Sequence, residues 1–258
     1  MARKGIMAGE PRGRFVDLGR HAIAGLKGAR QVRAWVPDLV TPPYPVAYCW
    51  DGQNLFGDEG SRAGGWHLDQ ILGARAASGL LAPLVVAIDH GGEDRIGDFA
   101  PWPHPRFGPG RAAALLDWVV GVLKPLVDRE FQTRDRSSTL VCGSSMGGLL
   151  SLIAWLRRPE VFGKALAMSP SLWFDAGALL AEIARAAPPR PDARLYLDIG
   201  KRESSQWARQ LLLDTAEAVV RRGLARERIR AFIDPNGRHR EAHWSRRLPV
   251  ALDFLAEP

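Results

Sequence analysis

The chain has 258 residues, 46% apolar and 24% charged, a balance that suits one large domain with a sizeable core and excludes disordered and fibrous classes. The net charge is +7, yet only five of the 35 basic residues are lysine, and the arginines are scattered without a dense tract carrying interleaved aromatics, so nucleic-acid binding is not expected. No run approaches the roughly 20 apolar residues that cross a bilayer, and the basic N-terminus has no apolar h-region, so the chain is expected to avoid membranes and to be cytoplasmic.

In chain order, residues 14–23 and 31–36 read as two strands of an antiparallel hairpin turning at 25–28. Short apolar runs at 45–50 and 84–89 follow, the first ending at Asp51-Gly52 and the second at His90-Gly91-Gly92. Leu115, Val119, Val122 and Leu126 recur at helical spacing, which predicts an amphipathic helix over 111–131 that Pro125 must bend or divide. A strand at 138–142, a helix at 146–157 and strands at 164–168, 194–199 and 229–233 complete the alternation. A helix at 206–222 with Gly223 as its C′ residue lies between the last two strands, and a final helix runs from 241 to about 255. The pattern is that of a mostly parallel sheet with helices on both faces. Cys49 and Cys142 fall in apolar runs and read as buried thiols; neither has metal-ligand partners at useful spacing, so no metal is expected.

The sharpest local feature is Gly143-Ser144-Ser145-Met146-Gly147, a G-x-S-x-G pentapeptide between a strand and a helix. A serine on so tight a turn needs small neighbours two residues away, and the helix N-terminus offers free N–H groups to a developing oxyanion. Ser145 is therefore the expected nucleophile. Sheets with this elbow carry nucleophile, acid and histidine in that order, which leaves His239 and His243. His239 follows a strand through the turn Asp234-Pro235-Asn236-Gly237, whereas His243 falls in the start of the last helix, so His239 is favoured as base. Glu203, four residues past the strand at 194–199, is the expected acid, with Asp198 and Asp175 as competitors. The Met146 N–H and the Gln53 N–H, the latter in Asp51-Gly52-Gln53-Asn54, are the expected oxyanion-hole donors.

Several segments together resemble the esterase family that includes the enterochelin (siderophore trilactone) esterases. They are Asp51–Phe56, Gly64-Gly65-Trp66, Val86–Asp89 with Gly92–Arg95, Gly143–Gly148, Ser169–Phe174 and Gly237-x-His239-x-Glu241-x-x-Trp244. The resemblance runs from about residue 14 to 256 and implies one α/β-hydrolase domain over 14–258 behind a flexible 1–13. It also implies Ser145 as nucleophile, His239 as base, no metal or organic cofactor, and a small-molecule ester as substrate: a siderophore trilactone or an acylated sugar. Arg95 would lie near the pocket and could take an anionic group, with a salt bridge to Glu93 or Asp98 as the plainer role. Trp66, Trp102 and Trp173 fall in loops where they could stack on a ring. An acyltransferase using the same triad, and a non-catalytic binding module on this fold, are the alternatives.

Overall fold

A computed structural model of the chain describes residues 12–59 and 64–257. Residues 1–11, most of the expected flexible N-terminus, lie outside the described residues, and residues 12 and 13 lie within them. Strand β1 (Gly13–Ala22) already includes Gly13, and the Arg12 carbonyl accepts from the Asp38 N–H at 3.1 Å. β1 pairs antiparallel with β2 (Ala29–Pro37), which pairs antiparallel with β4 (Leu84–Ile88). The remaining strands are parallel: β3 (Val46–Trp50), β5 (Thr139–Ser144), β6 (Lys164–Met168), β7 (Arg194–Gly200) and β8 (Ile229–Asp234). The order across the eight-stranded sheet is β1-β2-β4-β3-β5-β6-β7-β8.

β3, β4 and β5 are buried along their whole length, which is why they read as unbroken apolar runs rather than alternating ones. Helices α1 (Leu68–Ala77) and α8 (Glu241–Ala256) cover one face of the sheet, packing Leu68, Leu72, Trp244, Leu248 and Ala251 into its core. The other face carries α2 (Arg95–Phe99), α3 (Ala112–Trp118), α4 (Lys124–Phe131), α5 (Met146–Arg157), α6 (Ala176–Arg185) and α7 (Gln206–Arg221). Among the described residues no helix is long and apolar enough to cross a membrane. Cys49 and Cys142 are free, buried and directly paired in register across β3 and β5.

The helix expected over 111–131 is interrupted by a π-turn at Val119–Leu123, one turn ahead of Pro125. Proline has no N–H for the residue four back and its ring crowds that carbonyl; the wider turn accommodates both. Gly223 does end α7, at φ 113°, with its N–H donating to the Val220 carbonyl at 2.9 Å. All the loops that matter below leave the C-terminal ends of the parallel strands, where open α/β sheets gather their sites.

Candidate active site

β5 ends at Ser144 and α5 begins at Met146, leaving Ser145 alone on the turn at φ 56°, ψ −123°. That conformation costs a non-glycine residue about 1–3 kcal/mol, so the surroundings must hold it in place. They do. The Ser145 N–H donates to the Met168 carbonyl at 2.9 Å, and its carbonyl accepts from the Leu149 and Ser171 N–H groups at 3.1 and 3.0 Å. A Cβ on Gly143 would stand 2.7 Å from the Gly147 carbonyl group, which explains the small residues flanking the serine. The partly exposed Ser145 hydroxyl lies 3.4 Å from the Ser171 hydroxyl and makes no direct hydrogen bond to His239.

The loops after β7 and β8 touch backbone to backbone. A Cβ on Gly200 would lie 2.3 Å from the Gly237 carbonyl carbon, so only two glycines permit the approach. The Arg202 N–H donates to the Gly237 carbonyl at 3.1 Å and the Lys201 N–H to the Asp234 carbonyl at 2.8 Å. This contact brings Glu203 to His239: the ring Nδ1 lies 2.6 Å from Glu203 Oε2. Glu203 Oε1 accepts from the Gly200 N–H at 2.5 Å and from the Ser169 hydroxyl at 2.7 Å. Burial pushes the Glu203 carboxyl up, but the bonds from His239, Ser169 and Gly200 outweigh it and hold the group below the ordinary carboxylate range.

Beneath this pair lies a polar network that the sequence did not reveal. The Ser169 hydroxyl, on a residue at φ 43°, accepts from Trp244 Nε1 and Arg247 Nη2, both at 2.9 Å. Arg247 also grips Asp198 with two bonds of 2.9 Å, and the Trp244 ring meets the His239 ring edge-on at 4.9 Å. Asp198, one of the competing acids, is thus fully buried against Arg247, and burial raises its carboxyl to about 6 despite that guanidinium. Asp175, the other, caps α6 through the Ala178 N–H at 2.8 Å. His243 has Arg246 Nη2 at 3.3 Å and no carboxylate on its ring; slight burial, Arg246 and Arg247 lower its pKa. Trp244 was already visible in the motif; only its spacing from His239 hinted at a role.

Because the Glu203 pKa is depressed on folding, its ionised form contributes stability above the ordinary glutamate pKa of about 4.3, and that contribution fades as pH falls through the lower folded value. Glu203→Gln should therefore lower stability most near pH 6, with the gap from wild type narrowing toward pH 3, and should cut turnover at least about 10-fold. Urea unfolding of both proteins across that range checks it; a gap that widens toward acid would reject the assignment.

Asp51, at φ 58°, leads into a 3-10 turn over Gly52–Asn54. Among the described residues, neither the Gln53 nor the Met146 backbone N–H donates to another group of the chain. The Gln53 side chain turns away, its Oε1 accepting from the His90 N–H at 3.3 Å. Arg95 bonds neither Glu93 nor Asp98: it forks onto Asp51, Nε to Oδ1 and Nη2 to Oδ2, both at 2.6 Å. Asp98 is already held by Arg30 and Arg111.

The three tryptophans part company. Trp66 is 2% exposed and packs on Trp244 in the core, so its ring faces have no opening to a ligand. Trp102 is half-buried and donates its indole N–H to Glu182 at 2.9 Å. Trp173 is 55% exposed and lines a cleft of about 290 Å³ with Glu203, His239, Ser169 and a tryptophan that sequence reasoning passed over, Trp207, 57% exposed. Trp207 sits in the first turn of α7 just after its capping Ser205, a position that pattern reading assigns to a solvated helix start. A second cavity, of about 310 Å³, lies at the opposite ends of the strands among Val46, Leu140, Lys164 and Leu255; no histidine reaches it.

Residues 24–255 match the family described as "Putative esterase". The YbbA protein of Bacillus subtilis is 26% identical over 226 residues, 82% of this chain and 85% of that protein. The iron(III) salmochelin esterase of Escherichia coli O6:H1 is 29% identical over 150 residues, 57% of this chain but 33% of its own length. The siderophore triacetylfusarinine C esterase of Aspergillus fumigatus is 29% identical over 54% of this chain and 48% of its own length. This chain thus matches a third and about half of those two enzymes. Among solved structures, the enterobactin esterase FES of Shigella flexneri superposes with a TM-score of 0.77 at 23% identity, covering 95% of this chain and 59% of that one. The BES protein of Bacillus cereus gives 0.71 at 18% identity over 100% and 99% of the two chains. These likenesses fix the fold as that of an α/β-hydrolase. With nine-tenths of its length matched, the chain belongs to the esterase family.

Proposed function

We propose that this protein hydrolyses a carboxylic ester through an acyl-enzyme on Ser145. The observation that carries the reading is the strained Ser145 on its strand-to-helix turn at the same C-terminal edge of the sheet as a histidine bonded to a buried carboxylate. With Nδ1 engaged by Glu203, His239 presents Nε2 to take the Ser145 proton as Oγ attacks the carbonyl carbon. The serine and histidine make no direct bond in the free protein; that bond forms when substrate is bound, as free active sites commonly leave such contacts long or poorly aligned. The oxyanion is received by the Met146 and Gln53 N–H groups. Its collapse expels the alcohol, which takes the proton from His239, and water then repeats the sequence to free the acid.

The substrate class we assign is a siderophore-type ester bearing aromatic acyl groups. Two exposed indoles, Trp173 and Trp207, flank the cleft, and the exposed Lys201, Arg202, Arg238 and Arg240 surround His239 with positive charge. That field draws an anionic ester inward. The similarity to the salmochelin and triacetylfusarinine C esterases supports a siderophore ester, while the aromatic acyl groups are inferred from the two indoles. Comparing free and ferric catecholate trilactones with acetylated sugars and p-nitrophenyl acetate tests it. The trilactones should show the highest kcat/KM, and Trp173→Ala with Trp207→Ala should raise their KM about 3- to 10-fold. A clear preference for sugar esters would sink the substrate assignment while leaving the hydrolase.

A further inference from the structure

Asp51 is a buried carboxylate set between the two halves of the proposed oxyanion hole. It immediately precedes the turn that carries Gln53, and its Oδ2 would lie 3.2 Å from a Cβ placed on Gly147, the neighbour of Met146. A lone anion there would oppose the charge that develops on the carbonyl oxygen of the substrate, in a region that water screens poorly. Its counter-charge is Arg95, held by two bonds of 2.6 Å and lying over the Phe99 ring at 5.1 Å. A second buried carboxylate, Glu241, sits on the same side, its Oε1 3.5 Å from the Asn54 amide of the turn, and it too acts on the Arg95 cation. One guanidinium thus serves two anions next to the place where a third must form.

We propose that Arg95 is a positioning residue that neutralises Asp51, so that the oxyanion between Met146 and Gln53 forms beside an ion pair rather than beside a bare carboxylate. The same fork pins the turn that presents the Gln53 N–H. This rests on the nucleophile assignment made above and gives Arg95 a task other than gripping an anionic substrate. Its loss strikes turnover, not binding.

The test uses p-nitrophenyl acetate, a neutral ester, on wild type, Arg95→Met, Arg95→Lys and the double variant Asp51→Asn/Arg95→Met. Arg95→Met should lower kcat about 10- to 100-fold with KM changed less than about 3-fold. Arg95→Lys keeps the charge and should lose less than about 5-fold. The double variant should regain about 10-fold over Arg95→Met, because removing the anion removes what the cation was needed for. A double variant as slow as Arg95→Met overturns the proposal, and so does a rise in KM with kcat intact. Should the double variant fail to fold, equal losses in Arg95→Lys and Arg95→Met overturn it in its place. Ser145→Ala assayed alongside separates the two readings: activity surviving there rejects the nucleophile, whereas its loss together with a double variant that does not recover rejects only the role of Arg95.

Discussion

Replacing Ser145 by alanine is expected to cut ester hydrolysis by about 10,000-fold or more, with the fold intact. The substitution removes only the hydroxyl, whose one bond in the free protein is the long 3.4 Å contact to Ser171. Alanine keeps the Cβ and therefore the backbone strain at φ 56°, so stability should change by less than about 0.5 kcal/mol. Hydrolysis of p-nitrophenyl acetate and a thermal melt by circular dichroism measure both halves of the statement. Turnover near that of wild type in a folded Ser145→Ala protein would leave the elbow as a structural turn only.

His239→Ala should cost turnover on a similar scale, about 10,000-fold, while His243→Ala stays within about 3-fold of wild type. The two histidines are four residues apart, yet their surroundings differ in sign. His239 has a buried carboxylate 2.6 Å from Nδ1, which sets the tautomer and would stabilise the imidazolium formed in the proposed attack. His243 has a guanidinium 3.3 Å away, which opposes protonation. Without the imidazole, Glu203 still accepts from Gly200 and Ser169, so the loop should remain in place and added imidazole should restore part of the rate. A larger loss in His243→Ala than in His239→Ala would reverse the assignment.

Most of the parallel sheet could be read from the chain because its strands are buried on both faces and stand out as short apolar runs; the run at 164–168 coincides with β6. Helices α1 and α6 went unread for different reasons. α1 carries Gly73 and Arg75 among its buried residues and shows no clean apolar stripe, whereas α6 buries only Leu179 and Ile183 over ten residues. The elbow was legible since its constraint is local: a strand, a strained serine with a glycine two residues to either side, and a helix. The choice among Glu203, Asp198 and Asp175 rested on chain order, and what distinguishes them is contact. Asp198 meets Arg247 from 49 residues away, a pairing that no spacing rule anticipates. Arg95 and Trp66 show the same limit. Proximity to a loop is visible in sequence, but whether a side chain turns toward solvent, a carboxylate or the core is decided by partners far along the chain.

The meeting of Gly200 and Gly237 has a bearing on how this site responds to a ligand. Glu203 and His239 ride on adjacent strand ends, after β7 and β8, locked to one another by main-chain bonds, whereas the proposed nucleophile rides on the elbow after β5, with the β6 loop between. The Glu203–His239 pair is accordingly preassembled, so in the proposed mechanism an arriving substrate needs to close a single gap, not to build a relay from three loose parts. Under the proposed mechanism, tuning falls on the loop after β6 bearing Ser169 and Ser171, which touches the Glu203–His239 pair through the first hydroxyl and the elbow through the second.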